Sequence, residues 1–467
     1  MWRLPSTVPV ATRVLHGCRA RLLASAAEPR ARRERPQDIL RTWRETPSPQ
    51  ADQHVAALFN LGRATRGRGA GESRADWERH DAMQLGLQDD PAFAELLMAL
   101  RDAIPSLAPK GLSRLLMGLG DTHEDLPFAH PTTPPEHMKL LLSVVEVACE
   151  RLLSTWAEGD PHLHDDRDLG FPLFALSRLG LYNEEIFNRA SALLSLKLTT
   201  SEQSSAPLAV EGLRQWLLAC NNVNHSLAEH EGAIARYRPQ APWQDEEGSR
   251  LHQLAGTLAF LVRPDPLLGE VLREVNRRPA SQLQASKAVA LYGLQAVRLL
   301  TENGALQTEE RLDAALAEQL DYWLEEKTRR VHRSSQLENA VGTALSRSGF
   351  QPAQDVTVGH GLSADFRCSR RGQSFFVEVD GPSHFCVRPP WRPRGRTLLK
   401  RRIFASLGHD LVSVPYWVAA APGAYARRGD QSRRPDLDAD HEELGELISE
   451  QLDALNVEKQ REAKAER

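Results

Sequence analysis

"FFVEVDGPSHF", residues Phe375 to Phe385, runs apolar, sets Glu378 and Asp380 two positions apart, breaks at Gly381-Pro382 and then offers His384. An uninterrupted apolar run of this kind is what a central strand, buried on both faces, requires. Carboxylates at the end of such a strand suit two chemistries. They can hold a divalent cation for cutting nucleic acid, or they can form the acidic rim of a module that only binds. Asp380-Gly381 also fits a plain strand-ending turn, in which the Asp side chain accepts from backbone N–H groups.

The flanking residues supply the rest of a small α/β domain. Ser335 to Ser346 reads as a helix with Leu337, Val341 and Leu345 on one face and Glu338 near its start. "QDVTV" (Gln354 to Val358), "SADFRC" (Ser363 to Cys368) and "QSFFVEVD" (Gln373 to Asp380) read as strands, with Arg370-Arg371-Gly372 as the last turn between them. "TLLKRRIFASLG" is a helix stopping at Gly408, and "LVSVPYW" (Leu411 to Trp417) a fourth strand whose Tyr416 and Trp417 belong in the core. Helix, three strands, helix, strand places helices against a sheet. Before the second helix, "VRPPWRPRGR" groups Arg388, Arg392, Arg394 and Arg396 around Trp391, and the helix adds Lys400, Arg401 and Arg402. Such cations can follow a phosphate backbone while Trp391 stacks on an unpaired base, and Arg forks onto phosphate oxygens. The plainer reading is a solvated basic loop with its Trp packed on the sheet.

"VEVDGPSHF" and "GRTLLKRRIFASLGHDLVSVPYW", with the lead-in "SSQLENAV" (Ser334 to Val341), resemble the RAP domain, a module of organelle RNA-metabolism proteins. The resemblance spans about Ser334 to Ala420. It implies helical repeats before the C-terminal module, and action on organelle RNA in processing, stability, translation or ribosome assembly. Val418-Ala419-Ala420 departs from the acidic and aromatic residues that often follow "VPYW" in that family. The family is similar in turn to restriction-endonuclease-like folds, in which an Asp on one strand and an acid on the next hold Mg²⁺ and a Lys two residues on helps activate water. Residue by residue, that implies Asp365 as first acid, Glu378 as second and Glu338 as a helix-borne acid. The Lys position is occupied by Asp380, which adds negative charge where a cation is expected. His384 as a general base, or Lys400 folding back, could compensate. Asp365 and Glu378 are thus the candidate metal ligands, and Mg²⁺ is implied only if the module is a nuclease; otherwise no cofactor is expected.

The rest of the 467 residues differ in character. Residues 1–36 hold eight Arg against two Glu, with no acid before Glu28, the profile of an organelle transit peptide; a disordered basic arm is the alternative. Residues 37–332 form an acidic body with helical periodicity, as in "PAFAELLMALRDAI" and in "NEEIFNRASALLSL", which opens at the N-cap candidate Asn183. "ALFNLG" at Ala57 recurs as "ALSRLG" at Ala175 and, degraded, as "ACNNVN" at Ala219 and "ALYGLQ" at Ala290, while "LSRLLMGLG" near Leu112 resembles "LGFPLFALS" near Leu169. Small residues followed by Leu suit close helix stacking, so stacked helix pairs are expected, with an ordinary bundle as alternative. "PHLHDD" (His162 to Asp166) carries ligand types without matching partners nearby and reads as a solvated loop. Residues 333–420 are basic, with twelve Lys/Arg against six acids, and 421–467 form an acidic tail with one closing amphipathic helix and a partner-contact role. No apolar run reaches membrane-spanning length. Five cysteines without a CxxC pair argue against a disulfide framework or zinc knuckle and fit a reducing compartment.

The expected fold is mainly α, an irregular helical-repeat array with a small C-terminal α/β domain resembling the restriction-endonuclease-like fold. The expected function is that of an RNA-binding protein of the mitochondrial matrix, with the plastid as alternative. Its partners would be organelle rRNA or mRNA, and ribosomal or other RNA-complex proteins through the acidic body. A metal-dependent endoribonuclease and a structural ribosomal subunit are the competing readings.

Overall fold

The computed structural model describes residues 35–65, 86–123, 135–158, 165–200, 208–239, 242–261, 263–285, 288–328, 336–370, 372–381, 384–386, 392–416 and 444–453. The Arg-rich start, Arg388, Trp391, Trp417, His162 and His164 lie outside the described residues.

Apolar stripes at helical spacing build the body. Its helices are α1 (Pro36–Glu45), α2 (Ala51–Thr65), α3 (Pro91–Ala103), α4 (Pro109–Thr122), α5 (Pro135–Glu158), α6 (Asp166–Arg178) and α7 (Glu184–Thr200). They continue with α8 (Val210–Asn222), α9 (Glu231–Ala235), α10 (Gly248–Leu258), α11 (Leu267–Asn276), α12 (Ser281–Ala285), α13 (Ala288–Glu302) and α14 (Ala314–Thr328). None of the described helices is long and apolar enough to cross a membrane. Short polar caps start several of them. Asp90 accepts from Ala92 N–H at 2.8 Å and Asn183 from Ile186 N–H at 3.1 Å, each satisfying an orphan amide of a first turn. Asp165, read as part of a solvated loop, caps α6 by accepting from Arg167 N–H at 2.9 Å.

The helices stack in two rows. α2, α4, α6, α8, α10 and α13 pack in succession as one row, and α3, α5, α7, α9 and α11 as the second. Every segment of the faint sequence repeat falls on the first row, because that row needs small residues. A Cβ on Gly118 would come 2.8 Å from Leu58 Cγ, and one on Gly120 would come 3.2 Å from the Ala175 carbonyl. Gly256 and Gly293 meet so closely that a Cβ on either would lie 2.7 Å from the other's Cα. First-row helices begin at Ala51, Pro109, Asp166, Val210, Gly248 and Ala288, so the repeat is longer toward the N-terminal side and no fixed period exists. A buried ion pair, Arg178 to Asp121, ties α6 to α4.

The C-terminal module follows the expected order: α15 (Gln336–Arg347), β1 (Ala353–Gly359), β2 (Leu362–Arg370), β3 (Gln373–Asp380), α16 (Gly395–Ser406) and β4 (Leu411–Pro415). The sheet order is β1-β2-β3-β4, antiparallel twice and then parallel between β3 and β4, with α16 as the crossover. Gly408, at φ +76°, stops α16 in a conformation that suits glycine. One sheet face buries Phe375, Val377, Val379, Val412 and Val414 against Val341 and Leu345 of α15. The same core includes Leu444, Ile448 and Leu452 of a helix over 444–453, here α17. Gln451 of α17 bonds both the N–H and the carbonyl of Ser413 on β4, at 3.0 and 2.8 Å. This corrects the expectation of a module ending at 420 with a separate tail helix for partners: the apolar stripe of α17 is used inside the module.

The module is seated on the body through α16. Arg402 donates to the carbonyls of Ala259 at 2.7 Å and Ala305 at 2.8 Å, just past the ends of α10 and α13. Helix C-termini leave carbonyls without intrahelical partners and carry partial negative charge. At the start of α16, Gly395 lies against the Asn221 carbonyl at the end of α8 and against the Phe260 ring. Arg392 stacks its guanidinium 4.3 Å from the centre of the Tyr182 ring, whose hydroxyl sits 3.1 Å from His225 Nδ1.

Gly256→Ala is expected to lower unfolding free energy by roughly 1–3 kcal/mol, because the new methyl meets backbone rather than a movable side chain. Gly232→Ala, on helix α9 with nothing within 4 Å of its Cβ position, should instead raise it by about 0.4–1 kcal/mol. Chemical denaturation of the two variants checks both signs.

Candidate functional site

Strand alternation puts Glu378 and Asp380 on one face of β3, opposite the apolar face made by Val377 and Val379. Antiparallel pairing of Phe366 with Val377 brings Asp365 of β2 beside Glu378. The crossover helix covers this face, and its side chains meet the acids from above.

Two polar clusters result. In the first, Asp365 accepts from Val379 N–H at 2.7 Å, and Lys400 of α16 donates to Glu378 Oε1 at 2.5 Å. Glu378 Oε2 is buried with no hydrogen-bond partner among the described residues. Burial, and then the neighbouring Glu378 charge, push Asp365 up to about 7, despite the Val379 N–H and Lys400; Glu338 of α15 adds to the rise. Asp365 and Glu378 of the nuclease-like set are therefore side by side on adjacent strands, and in place of the strand Lys a Lys from the helix reaches the second acid.

In the second cluster, Asp380 is fully buried. Its Oδ1 lies 2.6 Å from His384 Nδ1, Arg401 donates to Oδ2 from 3.3 Å, and the Ser413 hydroxyl also donates to Oδ2. Burial would raise the Asp380 pKa, but the His384 hydrogen bond and charge, Ser413 and Arg401 outweigh it and hold it below the usual range. The Asp that replaces the expected Lys is thus a hub rather than a stray charge. It fixes His384, and the chain beyond His384 doubles back through Cys386 N–H to the Arg392 carbonyl and Arg394 N–H to the His384 carbonyl, both 2.8 Å.

A divalent cation fits the first cluster in one respect: it would meet the orphaned Glu378 oxygen and offset the Glu378 charge, which after burial contributes most to the raised Asp365 pKa. The fit is to two carboxylates, since among the described residues no group of three or more His, Cys, Asp or Glu is placed to hold a metal.

The candidate cations are distributed differently from the expected basic strip. Lys400 and Arg401 are turned onto the acids, Arg402 and Arg392 onto the body. Arg394 is half-buried at the N-cap of α16, and Arg396 is exposed. Sequence reasoning missed Ser413, although a lone hydroxyl in the apolar "LVSVP" was a usable signal, and it missed the seating role of Arg402, which carries no local signal.

A basic-edged α/β module with a buried acid pair under its crossover helix is the class of site present. A family model described as the RAP domain matches residues 377–419, so the chain carries a RAP domain there, as the resemblance implied; the match takes in Glu378 and Asp380 at the end of β3, then α16 and β4, and begins after Asp365 of β2. A RAP domain is generally an RNA-binding domain. No curated protein matches the chain.

Folded Asp365 keeps its proton to about pH 7, whereas an unfolded Asp releases it near 3.9. The folded state therefore binds more protons between those values, and this group's contribution to stability falls as pH rises from about 4 through 7. Asp365→Asn should be more stable than wild type at pH 8 and no more stable at pH 4, as read by urea titrations across that range.

Proposed function

We propose that this protein binds organelle RNA through its C-terminal module and acts in RNA processing, stability or ribosome biogenesis, in mitochondria by preference over plastids. The coincidence that carries the reading is that the RAP match falls on the basic module of a chain whose helical body is acidic. Phosphate contact is favoured where cations gather and disfavoured on a surface of like charge. The Arg-rich, acid-poor residues 1–36 support import into an organelle. The body, with its paired helices and negative charge, suits contact with ribosomal or other RNA-complex proteins.

A second reading is favoured by one observation, the convergence of Asp365, Glu378 and Lys400. In a metal-dependent endoribonuclease, Asp365 and Glu378 would hold Mg²⁺, and the ion would polarise the phosphate and lower the pKa of the attacking water. Lys400 would hold Glu378 in place, and His384, oriented by buried Asp380, would be available for proton transfer.

The full chain incubated with organelle RNA, with and without Mg²⁺ or Mn²⁺, separates the two. The binding reading expects RNA retained and intact under all conditions, with affinity falling steeply as salt rises. Cleavage only with metal, lost in Asp365→Asn, would establish the enzyme instead. Failure to bind any RNA at low salt would sink both.

A further inference from the structure

The seating of α16 creates a surface that neither half of the chain has alone. Gly395 is pressed against the ends of α8 and α10, and α16 also packs along α13. The next residue, Arg396, faces solvent, while among the described residues Lys400, Arg401 and Arg402 are each committed to acids or carbonyls. On the facing helix, Tyr292 is 37% exposed, one of few large apolar side chains left so open among the described residues. It precedes Gly293, which packs closely on Gly256 of α10. Burial raises the Tyr292 hydroxyl pKa, and the Arg396 charge opposes the rise.

An exposed ring on one helix and, on the helix packed against it, an exposed guanidinium without a partner among the described residues form a combination that holds single-stranded nucleic acid: the ring stacks on a base and the cation takes the adjoining phosphate. A protein partner would more naturally use a larger apolar patch. We propose that single-stranded RNA crosses the seam between the body and the module, stacking a base on Tyr292 while Arg396 grips its phosphate. The inference rests on the RNA-binding reading and extends it, because it assigns a base contact to the acidic body.

Fluorescence anisotropy of the full chain with a labelled oligouridine tests it. Tyr292→Ala should weaken binding about tenfold, within the range measured for a stacked base, whereas Tyr292→Phe should stay within about twofold because the ring is kept. Arg396→Ala should weaken binding and reduce the slope of log affinity against log salt by about 0.7, the loss of one phosphate contact on a single strand. Arg396→Lys should restore the slope. Tyr322→Ala, at an exposed ring on α14, should leave binding unchanged. If wild type binds and the Tyr292 and Arg396 variants match it, or if Tyr322→Ala is equally damaging, the seam is not the path and RNA binding lies elsewhere. If wild type does not bind, the RNA-binding reading falls and this inference with it.

Discussion

Helix α16 is the constraint on which the rest of the molecule depends. It crosses from β3 to β4, so it must lie on the sheet face that carries Glu378 and Asp380. It also has to meet the body, where α8, α10 and α13 end. Arg402 donates to carbonyls that follow α10 and α13, those of Ala259 and Ala305. Lys400 and Arg401, its neighbours in sequence, turn to the acids. Successive helical residues point about 100° apart, so "KRR" is divided between two partners instead of forming a stripe. The helix thus joins the halves and neutralises the buried acids together.

That division explains the electrostatics of the site. A sheet face with Asp365, Glu378 and Asp380 would be strongly unfavourable without compensating donors. Asp380 receives full compensation from His384, Arg401 and Ser413. Asp365 and Glu378 share less, and their environment shows it in the raised Asp365 pKa and the orphaned Glu378 oxygen.

Much of this was legible in the sequence. The strand "QSFFVEVD" lies within its expected bounds, Asn183 caps its helix, and the small-residue segments fall on one row of the array. These features are local, set by periodicity, capping and the volume of single side chains. The unreadable parts are those fixed by contacts far apart in the chain. Nothing near Arg402 announces that it will meet carbonyls of the body, and Arg392 reads as a phosphate contact until Tyr182 is found beneath it. The stripe of α17 looked like a partner surface because its partner, the apolar face of β3 and β4, was many residues away. Gly256 escaped the repeat because its significance lies in Gly293.

Native-state hydrogen exchange on the full chain measures directly whether α16 makes body and module one unit. Amides of α16 should open with the same free energy as those of α10 and α13, and Arg402→Ala should let α16 and the sheet open separately and more easily. Independent opening of the module in the wild-type protein, unchanged by Arg402→Ala, would contradict the account.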